Sequence, residues 1–296
     1  MPLTSATNKR EKLPGKLYVV ATPIGNPEDI TLRAIRVLRE ADFIAAEDTR
    51  KTGKLLSYHD IKGNMVSCHE HNEMSRSVSL IDEIKSGATV ALVSDAGTPS
   101  VSDPGYRMVK AALENNIQLV PVPGASAAIS ALSVSGLPTD TFTFIGFLPK
   151  KAPRRKEKLT RLINETGTLL FYESPKRVLQ LIHEIMDILG DRQGVLSREM
   201  TKPFEEFIRG SMSEITQIIS ERKGLKGECT LLVSGSIQSD GIPFEDQWKA
   251  CEKEINKMVA AQDTTPSALA REIAKEYGLS RKKVYDKILS LKKEQK

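Results

Sequence analysis

A short apolar segment, a long glycine- and proline-rich loop and a helix-forming segment follow one another between residues 89 and 113. The apolar run Thr89–Val93 predicts a buried strand, and Tyr106–Leu113 predicts a helix. The loop between them, Ser94–Gly105, has twelve residues, whereas most such connections have about 2–6. Its glycines allow another molecule to approach the backbone. Because open α/β sheets bind ligands beyond the carboxyl ends of their strands, the loop predicts a binding site. An ordinary turn-rich connection is the alternative.

The same alternation of apolar runs and helix-forming segments continues through the first part of the chain. It predicts crossover units and a mostly parallel sheet in a first domain over residues 16–123. The predicted strands are Leu17–Ala21, Phe43–Ala46, Met65–Cys68, Val90–Val93 and Ile117–Val122. The helix after the first strand is predicted to bury Leu32, Ile35 and Leu38 on one face.

A second group of strands predicts a mixed sheet in a domain over residues 124–236. Two of them, Gly194–Arg198 and Glu206–Arg209, are too close for a crossover helix and predict an antiparallel hairpin. The other strands are Phe142–Phe147, Leu169–Tyr172 and Cys229–Ser234, and a helix is predicted over Lys176–Leu189. The predicted fold class is therefore α/β, with two α/β domains.

Both ends of the chain lack this alternation. Residues 1–15 are polar and basic and predict a disordered N-terminal segment. Residues 244–296 follow a polar linker and predict a small all-α tail, in which Thr265 and Pro266 suit the N-cap and the first helical position. The spacing of Ala274, Gly278 and Val284 is typical of a helix-turn-helix, with a plain helical hairpin as the alternative.

Composition narrows the class of protein. The chain has 296 residues, 40% of them hydrophobic, and a net charge of +5. It has no secretory leader and no apolar run long enough to span a membrane, so we expect a cytoplasmic protein without a membrane partner. The absence of Walker A, Gly-x-Gly-x-x-Gly and Gly-x-Ser-x-Gly motifs argues against a P-loop NTPase, a dinucleotide-binding Rossmann enzyme and an esterase.

A basic run lies near the start of the second domain. Its cations are Lys150, Lys151, Arg154, Arg155, Lys156 and Lys158. Clustered lysines and arginines can neutralise phosphates, so the run predicts an RNA-binding surface. A solvated helix face is the alternative.

Four loops should converge at the carboxyl edge of the first sheet. They are Thr22–Pro27, Glu47–Arg50, Ser94–Gly105 and Pro123–Ser126. Together they offer backbone groups, small side chains and a few charges, which suit a ligand with a ribose and a base edge. The dense positive nest that a triphosphate needs is missing.

Five motifs in order carry a family resemblance. Ala21–Thr31, Ala46–Arg50, Ser94–Gly105, Val122–Ala127 and Tyr172–Arg177 resemble those of the ribosomal RNA small subunit methyltransferase I family, within the tetrapyrrole-methylase superfamily. The resemblance covers residues 16–236 and extends to the helix-turn-helix-like tail. It implies two domains of the tetrapyrrole-methylase type with S-adenosylmethionine bound between them. It also implies 2′-O-methylation of a cytidine ribose in the decoding region of 16S rRNA, a partner that is 16S rRNA or the 30S subunit, and a homodimer.

The resemblance also assigns cofactor contacts. Gly97-Thr98-Pro99 matches the family's Gly-Asp-Pro-like turn, with threonine in place of the acid. Pro23 matches the floor beneath the methionine portion, and Ser126 and Ala127 match contacts from the far side. The remaining expected contacts from the long loop are Asp95, Val101 and Ser102.

Catalytic candidates follow from the chemistry of methyl transfer. A ribose 2′-hydroxyl is a poor nucleophile, so it needs a base or a cation that stabilises the developing alkoxide. The principal candidates are Asp48, Arg50, Lys176 and Arg177, of which we favour Lys176 or Arg177 near the reacting oxygen. His71 and Glu173 are further titratable groups in the same kind of position. Asp48 could instead cap the following helix, Arg50 could pair with a neighbouring acid, and the other two could simply bind phosphate.

Three further hypotheses concern a metal site and two other functions. His69 and His71 lie two residues apart, but no partner pair completes a metal site, and we expect no metal. A small-molecule tetrapyrrole or precorrin methylase and a ligand-sensing nucleic-acid-binding regulator are the alternative functions. Against the regulator, only Arg281 offers a base-reading side chain near the start of the second tail helix.

Overall fold

A computed structural model describes residues 15–222, 224–236, 244–260, 265–276, 279 and 281–294 of the chain. The chain folds as two compact units that divide between Ser126 and Ala127. The predicted N-terminal segment, apart from Gly15, lies outside the described residues, as do residues 237–243 of the linker and Gly278. The domain boundaries expected from the sequence stay predictions.

The first unit contains a parallel sheet, which confirms the predicted fold class. Its strands are β1 (Lys16–Val20), β2 (Phe43–Ala46), β3 (Met65–Ser67), β4 (Thr89–Val93) and β5 (Gln118–Val122). They lie in the order β3-β2-β4-β1-β5, and each neighbouring pair is parallel. The carboxyl ends of all these strands therefore meet at one edge.

Helices cover both faces of this sheet, because successive strand residues point to opposite sides. The helices are α1 (Leu32–Glu40), α2 (Thr49–Tyr58), α3 (Glu73–Lys85) and α4 (Tyr106–Glu114). Ile44 and Ala46 pack in one core with residues of α1 and α2. Ala45, between them, packs in a second core with residues of α3 and α4. The sheet is therefore doubly wound, and its polar edge carries the loops.

Helix α1 buries part of the predicted set, since Leu38 is buried and Ile35 packs against the core. Its buried residues are Ala34, Val37 and Leu38. The prediction for Leu32 is wrong, since this residue is 87% exposed. Residues two apart on a helix point away from each other, so a face centred on Ala34 leaves Leu32 in solvent.

The second unit contains the predicted mixed sheet, in the order β6-β7-β10-β8-β9. Its strands are β6 (Phe142–Phe147), β7 (Thr168–Glu173), β8 (Gln193–Arg198), β9 (Glu206–Ser211) and β10 (Cys229–Val233). Strand β6 is parallel to β7, and β10 is antiparallel to β7 and β8. Strands β8 and β9 form the predicted antiparallel hairpin. The helices of this part are α5 (Ala127–Ser133), α6 (Ala152–Thr160), α7 (Val178–Leu189) and α8 (Met212–Ser220).

The C-terminal residues form helices with a core of their own. These are α9 (Phe244–Ala260), α10 (Pro266–Glu276) and α11 (Arg281–Glu294), and buried residues such as Ile255, Ile273 and Val284 join them. Thr265 accepts a hydrogen bond from the Ala268 amide (3.4 Å), as its predicted N-cap position requires. No helix in the described part of the chain has the length and apolarity needed to span a membrane.

Candidate functional site

The loops after β1 and β4 are joined by backbone hydrogen bonds. The Thr22 amide donates to the Gly97 carbonyl oxygen (2.8 Å), and the Gly97 amide donates to the Thr22 carbonyl oxygen (3.0 Å). The Thr22 hydroxyl donates to the Ser94 carbonyl oxygen (3.1 Å). These contacts confirm that the two loops converge, whereas the predicted contact of Pro23 with a cofactor stays a prediction.

The loop after β2 is fastened to the loop after β4 through Asp95. The Asp95 carboxylate accepts from the Asp48 amide (3.0 Å) and from Lys51 Nζ (2.8 Å), and the Asp95 amide donates to Glu47 (3.1 Å). The hydrogen bond to Asp95 raises the pKa of Lys51, and burial raises the pKa of Glu47. Asp95 therefore orders the edge of the sheet, and its contact with a cofactor stays a prediction.

Gly97 lies where three of the loops come together. Its φ is +77°, a conformation that side chains rarely adopt. A Cβ there would lie in ordinary van der Waals contact with Ile24 Cγ2 (3.7 Å) and with the Ala125 carbonyl oxygen (3.9 Å). The three loops therefore come close together around this glycine, and its role as the floor of a cofactor site stays a prediction.

The middle of the long loop has an unusual backbone conformation and contains a buried hydroxyl. Ser100 and Ser102 have φ values of +72° and +67°, and the Ser100 amide donates to the Pro104 carbonyl oxygen (3.1 Å). The Ser100 hydroxyl oxygen is buried, and no hydrogen-bond partner for it exists among the described residues. This hydroxyl is enclosed within the loop, since a Cβ at Gly105 would lie only 2.8 Å from it. Val101, by contrast, is 48% exposed.

Glu73 holds the end of this loop, and sequence reasoning missed it. This buried carboxylate accepts from the amides of Gly105 (3.1 Å), Arg107 (2.8 Å) and Met108 (3.2 Å). It thereby caps helix α4, whose own N-cap, Gly105, has no side chain. That missing cap is the signal that could have pointed to a distant acceptor. Strained serines persist in the loop because its far end is fixed in this way.

The two catalytic candidates after β2 differ in their contacts. Asp48 is the N-cap of α2 and accepts from the Arg50 amide (2.9 Å), so the capping alternative is realised. The capping bond uses one carboxylate oxygen of Asp48. Arg50 is exposed and makes no ion pair among the described residues. Both residues lie at the carboxyl edge of the sheet, and their catalytic roles stay predictions.

The candidates after β7 also differ. Arg177 is bound to the buried carboxylate of Glu173, with Nε at 2.8 Å and Nη2 at 2.5 Å. The Ser174 amide donates to the same oxygen of Glu173 (2.7 Å). Lys176 is exposed, and no carboxylate pairs with it in the part of the chain that the structure describes. Lys176 therefore keeps an uncompensated charge, whereas the charge of Arg177 is balanced.

The two residues predicted to contact the cofactor from the far side lie at the division between the units. Ser126 ends the first unit, and Ala127 begins the second as the first residue of α5. The next amide of α5, that of Ala128, donates to the hydroxyl oxygen of Tyr172 (3.1 Å). Tyr172, to which the sequence analysis gave no role beyond its place in a motif, thus supports the start of this helix.

The predicted RNA-binding cations differ in their exposure and in their bonding partners. Lys150, Lys151, Arg154 and Lys156 are exposed, and Lys158 donates to the Ile145 carbonyl oxygen (3.3 Å). Arg155 is buried, and its guanidinium binds Glu184 at 2.5 and 2.6 Å. These bonds raise the pKa of Arg155 and lower that of Glu184. Because Glu184 already binds the guanidinium of Arg155, this residue is not available to bind a phosphate.

Metal ligands do not cluster in the described residues, where no group of three or more histidines, cysteines and acids could hold an ion. The rings of His69 and His71 lie edge to face with centroids 6.0 Å apart. Cys68 is buried, and burial raises the pKa of its thiol to about 11.

Comparison with known proteins gives the class of protein to which this fold belongs. Residues 16–216 match the family described as Tetrapyrrole (Corrin/Porphyrin) Methylases. The solved structure of uroporphyrin-III-C-methyltransferase from Thermus thermophilus superposes with a TM-score of 0.55 at 22% identity, over 74% of this chain and 94% of that one. At this identity, the likeness establishes the common fold.

Closer relatives narrow the class. Ribosomal RNA small subunit methyltransferase I from Halalkalibacterium halodurans is 44% identical over 92% of this chain and 94% of its own length. The protein of the same name from Micromonospora olivasterospora is 42% identical over 93% of this chain and 86% of its own length. The chain therefore belongs to the ribosomal RNA small subunit methyltransferase I family of tetrapyrrole methylases, which confirms the predicted resemblance.

Proposed function

We propose that this protein uses S-adenosylmethionine to methylate the 2′-hydroxyl of a cytidine ribose in the decoding region of 16S rRNA. The observation that carries the proposal is the 44% identity, over 92% of the chain, to a relative named for ribosomal RNA small subunit methylation. The loop edge of the first unit and the exposed cations of the second supply surfaces suited to the two substrates.

The described residues at the sheet edge fit S-adenosylmethionine. Gly97 has no side chain, so a ligand can approach the backbone of its loop, and the cation Lys51 is matched by Asp95. A lining with little net charge suits a nucleoside better than a triphosphate. The proposed cofactor contacts are Pro23, Asp95, Gly97, Thr98, Pro99, Val101, Ser102, Ser126 and Ala127.

The cofactor, when bound, supplies a methyl group already activated on a sulfonium. The protein's task is then to place the ribose hydroxyl and to stabilise the charge that develops on its oxygen. Lys176 is our first choice for that stabilising cation, because its charge has no acidic partner among the described residues. Arg177 is the second, since Glu173 already balances it. Asp48 and Arg50 are the candidates on the first unit.

Replacement of Lys176 tests this assignment. We expect Lys176→Ala to lower kcat by about a hundredfold with little change in the Kd for S-adenosylmethionine, because the lost interaction forms only as the alkoxide develops. Lys176→Arg should recover part of the rate. A rise in the KM for 30S subunits without a change in kcat would instead assign Lys176 to phosphate binding.

The proposed partners are 16S rRNA or the 30S subunit, a second copy of the chain in a homodimer, and no membrane. The proposed location is the cytoplasm, where ribosomal RNA is modified. The exposed cations Lys150, Lys151, Arg154 and Lys156 support a polyanionic partner. We leave Arg155 out of this surface because Glu184 binds its guanidinium.

Mapping of 2′-O-methyl groups on 16S rRNA by mass spectrometry tests the proposal. A strain that lacks the gene should lose one 2′-O-methylcytidine from the decoding region, and the gene supplied on a plasmid should restore it. An unchanged methylation map would contradict the proposed function. Methyl transfer by the purified protein to a porphyrinoid, but not to 30S subunits, would assign it to small-molecule methylation.

A further inference from the structure

The segment from Phe147 to Arg155, named here the β6–α6 corner, is held rigidly by its own last residue. Besides binding Glu184 on α7, the Arg155 guanidinium donates to the carbonyl oxygens of Pro149 (3.2 Å) and Lys150 (2.9 Å). Pro149 and Pro153 further restrict the backbone of the corner. Arg155 therefore stabilises the conformation of the corner, and the exposed cations next to it lie on a rigid segment of backbone.

An aromatic ring is displayed at the start of this corner. Phe147 is 53% exposed, and its ring packs edge to face on Tyr172 at a centroid distance of 5.6 Å. Phe144 packs on the same tyrosine at 5.0 Å. Residues three apart on a strand, such as Phe144 and Phe147, normally point to opposite faces. Here the register shifts between Phe144 and Gly146, and Gly146 has a φ of +65°. The bulge re-aims Phe147, and Tyr172 holds the ring in place.

Several cations without an acidic partner among the described residues come soon after Phe147 in the sequence. Lys150, Lys151 and Arg154 are exposed, and none of them makes an ion pair within the described ranges of the chain. The one acid of α6, Glu157, is bound to Arg161 (2.6 Å) and does not offset them. A fixed aromatic face beside several cations is the combination that binds single-stranded nucleic acid, since bases stack on the ring and phosphates meet the cations.

We propose that the β6–α6 corner binds single-stranded RNA of the substrate, with an unpaired base stacked on Phe147 and the neighbouring phosphates bound by Lys150, Lys151 and Arg154. This inference rests on the proposed function, which supplies the RNA. It assigns a role to Phe147 that neither the basic run nor the family motifs gave it.

Charge argues against a second copy of the chain as the occupant. A twofold interface centred on Phe147 would place the same cations of both copies against each other, because such contacts are self-complementary. RNA, whose phosphates carry the opposite charge, is the better match for the described corner.

The test compares Phe147→Ala with Phe147→Tyr, which keeps the aromatic face. We expect Phe147→Ala to raise the KM for 30S subunits by about tenfold, the usual scale of a lost base stack, with the Kd for S-adenosylmethionine unchanged. Phe147→Tyr should behave as wild type. Phe204→Ala is the matched control, since Phe204 is 74% exposed between β8 and β9 and should leave both constants unchanged.

A second variant reports the contact directly, whatever the stability of Phe147→Ala. Phe147→Trp should lose fluorescence when a short oligocytidylate is added, because a stacked base quenches indole. The wild type, with Trp248 as its single tryptophan, gives the background.

An unchanged KM in Phe147→Ala, together with no quenching in Phe147→Trp, would overturn the inference. Loss of dimer mass in Phe147→Ala by light scattering, with the KM unchanged, would assign the ring to a subunit interface and also overturn it. Failure of the wild type itself to methylate 30S subunits would instead defeat the proposed function, so the two failures are distinguishable.

Discussion

The two units fix their polar segments by different means. In the first unit, carboxylates bind backbone amides: Glu73 caps the start of α4, and Asp95 accepts from the Asp48 amide. In the second unit, arginines are paired with carboxylates: Arg155 binds Glu184, and Arg177 binds Glu173. Each unit also uses the other kind of bond, since Lys51 pairs with Asp95 in the first unit and the Ser174 amide donates to Glu173 in the second, so the difference is one of emphasis.

This difference matches the ligands that each unit is proposed to bind. A carboxylate that accepts from backbone amides keeps its negative charge, so the loops of the first unit offer no surplus of cations to a polyanion among the described residues. Ion pairing in the second unit neutralises some arginines and leaves Lys150, Arg154 and Lys176 uncompensated among the described residues. Pairing thus selects which cations remain available to RNA.

The largest expected effect is on cofactor binding through Gly97. Gly97→Val should raise the Kd for S-adenosylmethionine by more than about a thousandfold, about 4 kcal/mol, because the side chain enters the proposed ligand space. Calorimetry measures this constant. Gly136→Val is the matched control, since Gly136 has a φ of +79° against +77° for Gly97 and open space beside it. An equal loss of affinity in both variants would mean that backbone strain, and not the loop, is responsible.

Removal of the Glu73 carboxylate should have the next largest effect. Glu73→Ala leaves the amides of Gly105, Arg107 and Met108 without their acceptor, and we expect a loss of about 3 kcal/mol in unfolding free energy. Hydrogen exchange should quicken at Arg107 and Met108. Glu83→Ala, at an exposed position on the same helix, should change neither quantity. Slow exchange retained in Glu73→Ala would contradict the capping role.

Arg154 and Arg155 are adjacent, yet we expect opposite effects from their removal. Arg155→Ala should lower the unfolding free energy by about 2 kcal/mol, because it leaves the partly buried Glu184 unpaired. Arg154→Ala should leave stability unchanged and reduce the salt dependence of RNA binding by about 0.7 in the log–log slope. Urea denaturation and RNA binding at several salt concentrations measure the two effects. Similar results from both variants would contradict the separate roles of Arg155 in stability and of Arg154 in RNA binding.

The smallest effect concerns pH and the ion pairs of the second unit. Hydrogen bonds from Arg222 and then Arg198 lower the pKa of Glu206 from 4.5 to about 2. A carboxyl whose pKa is lower in the folded than in the unfolded state stabilises the protein when the pH is above the unfolded-state pKa. That stability is lost as the pH falls through the folded-state pKa. Wild type should therefore lose more stability than Glu206→Gln between pH 4.5 and about 2. Urea midpoints across this range measure the difference, and parallel curves would contradict the network.

Much of the fold could be predicted from the sequence because buried strands leave a local signal. Apolar runs bounded by turn residues located Phe43–Ala46 and Phe142–Phe147 at their observed bounds. The short gap between Gly194–Arg198 and Glu206–Arg209 indicated the hairpin correctly. Strand order has no such local signal, because it depends on how distant segments pair.

The roles of charged residues were harder to predict, because their partners are distant in sequence. Arg155 could not be separated from Arg154, since Glu184 lies 29 residues further along. Glu73 was passed over because its acceptor role depends on a loop 32 residues away. Asp48 was the easier case, because a helix cap acts on amides two residues on.

Binding of both substrates to two variants tests the central claim most directly. The claim is that the first unit's loops bind the cofactor while the cations of the second unit bind RNA. Gly97→Val should lose S-adenosylmethionine binding and keep its affinity for 30S subunits, whereas Lys150→Glu combined with Arg154→Glu should lose affinity for 30S subunits and keep cofactor binding. This crossed pattern, measured on the full chain, is the predicted result. Loss of both ligands in either folded variant, or of neither in both, would contradict the account.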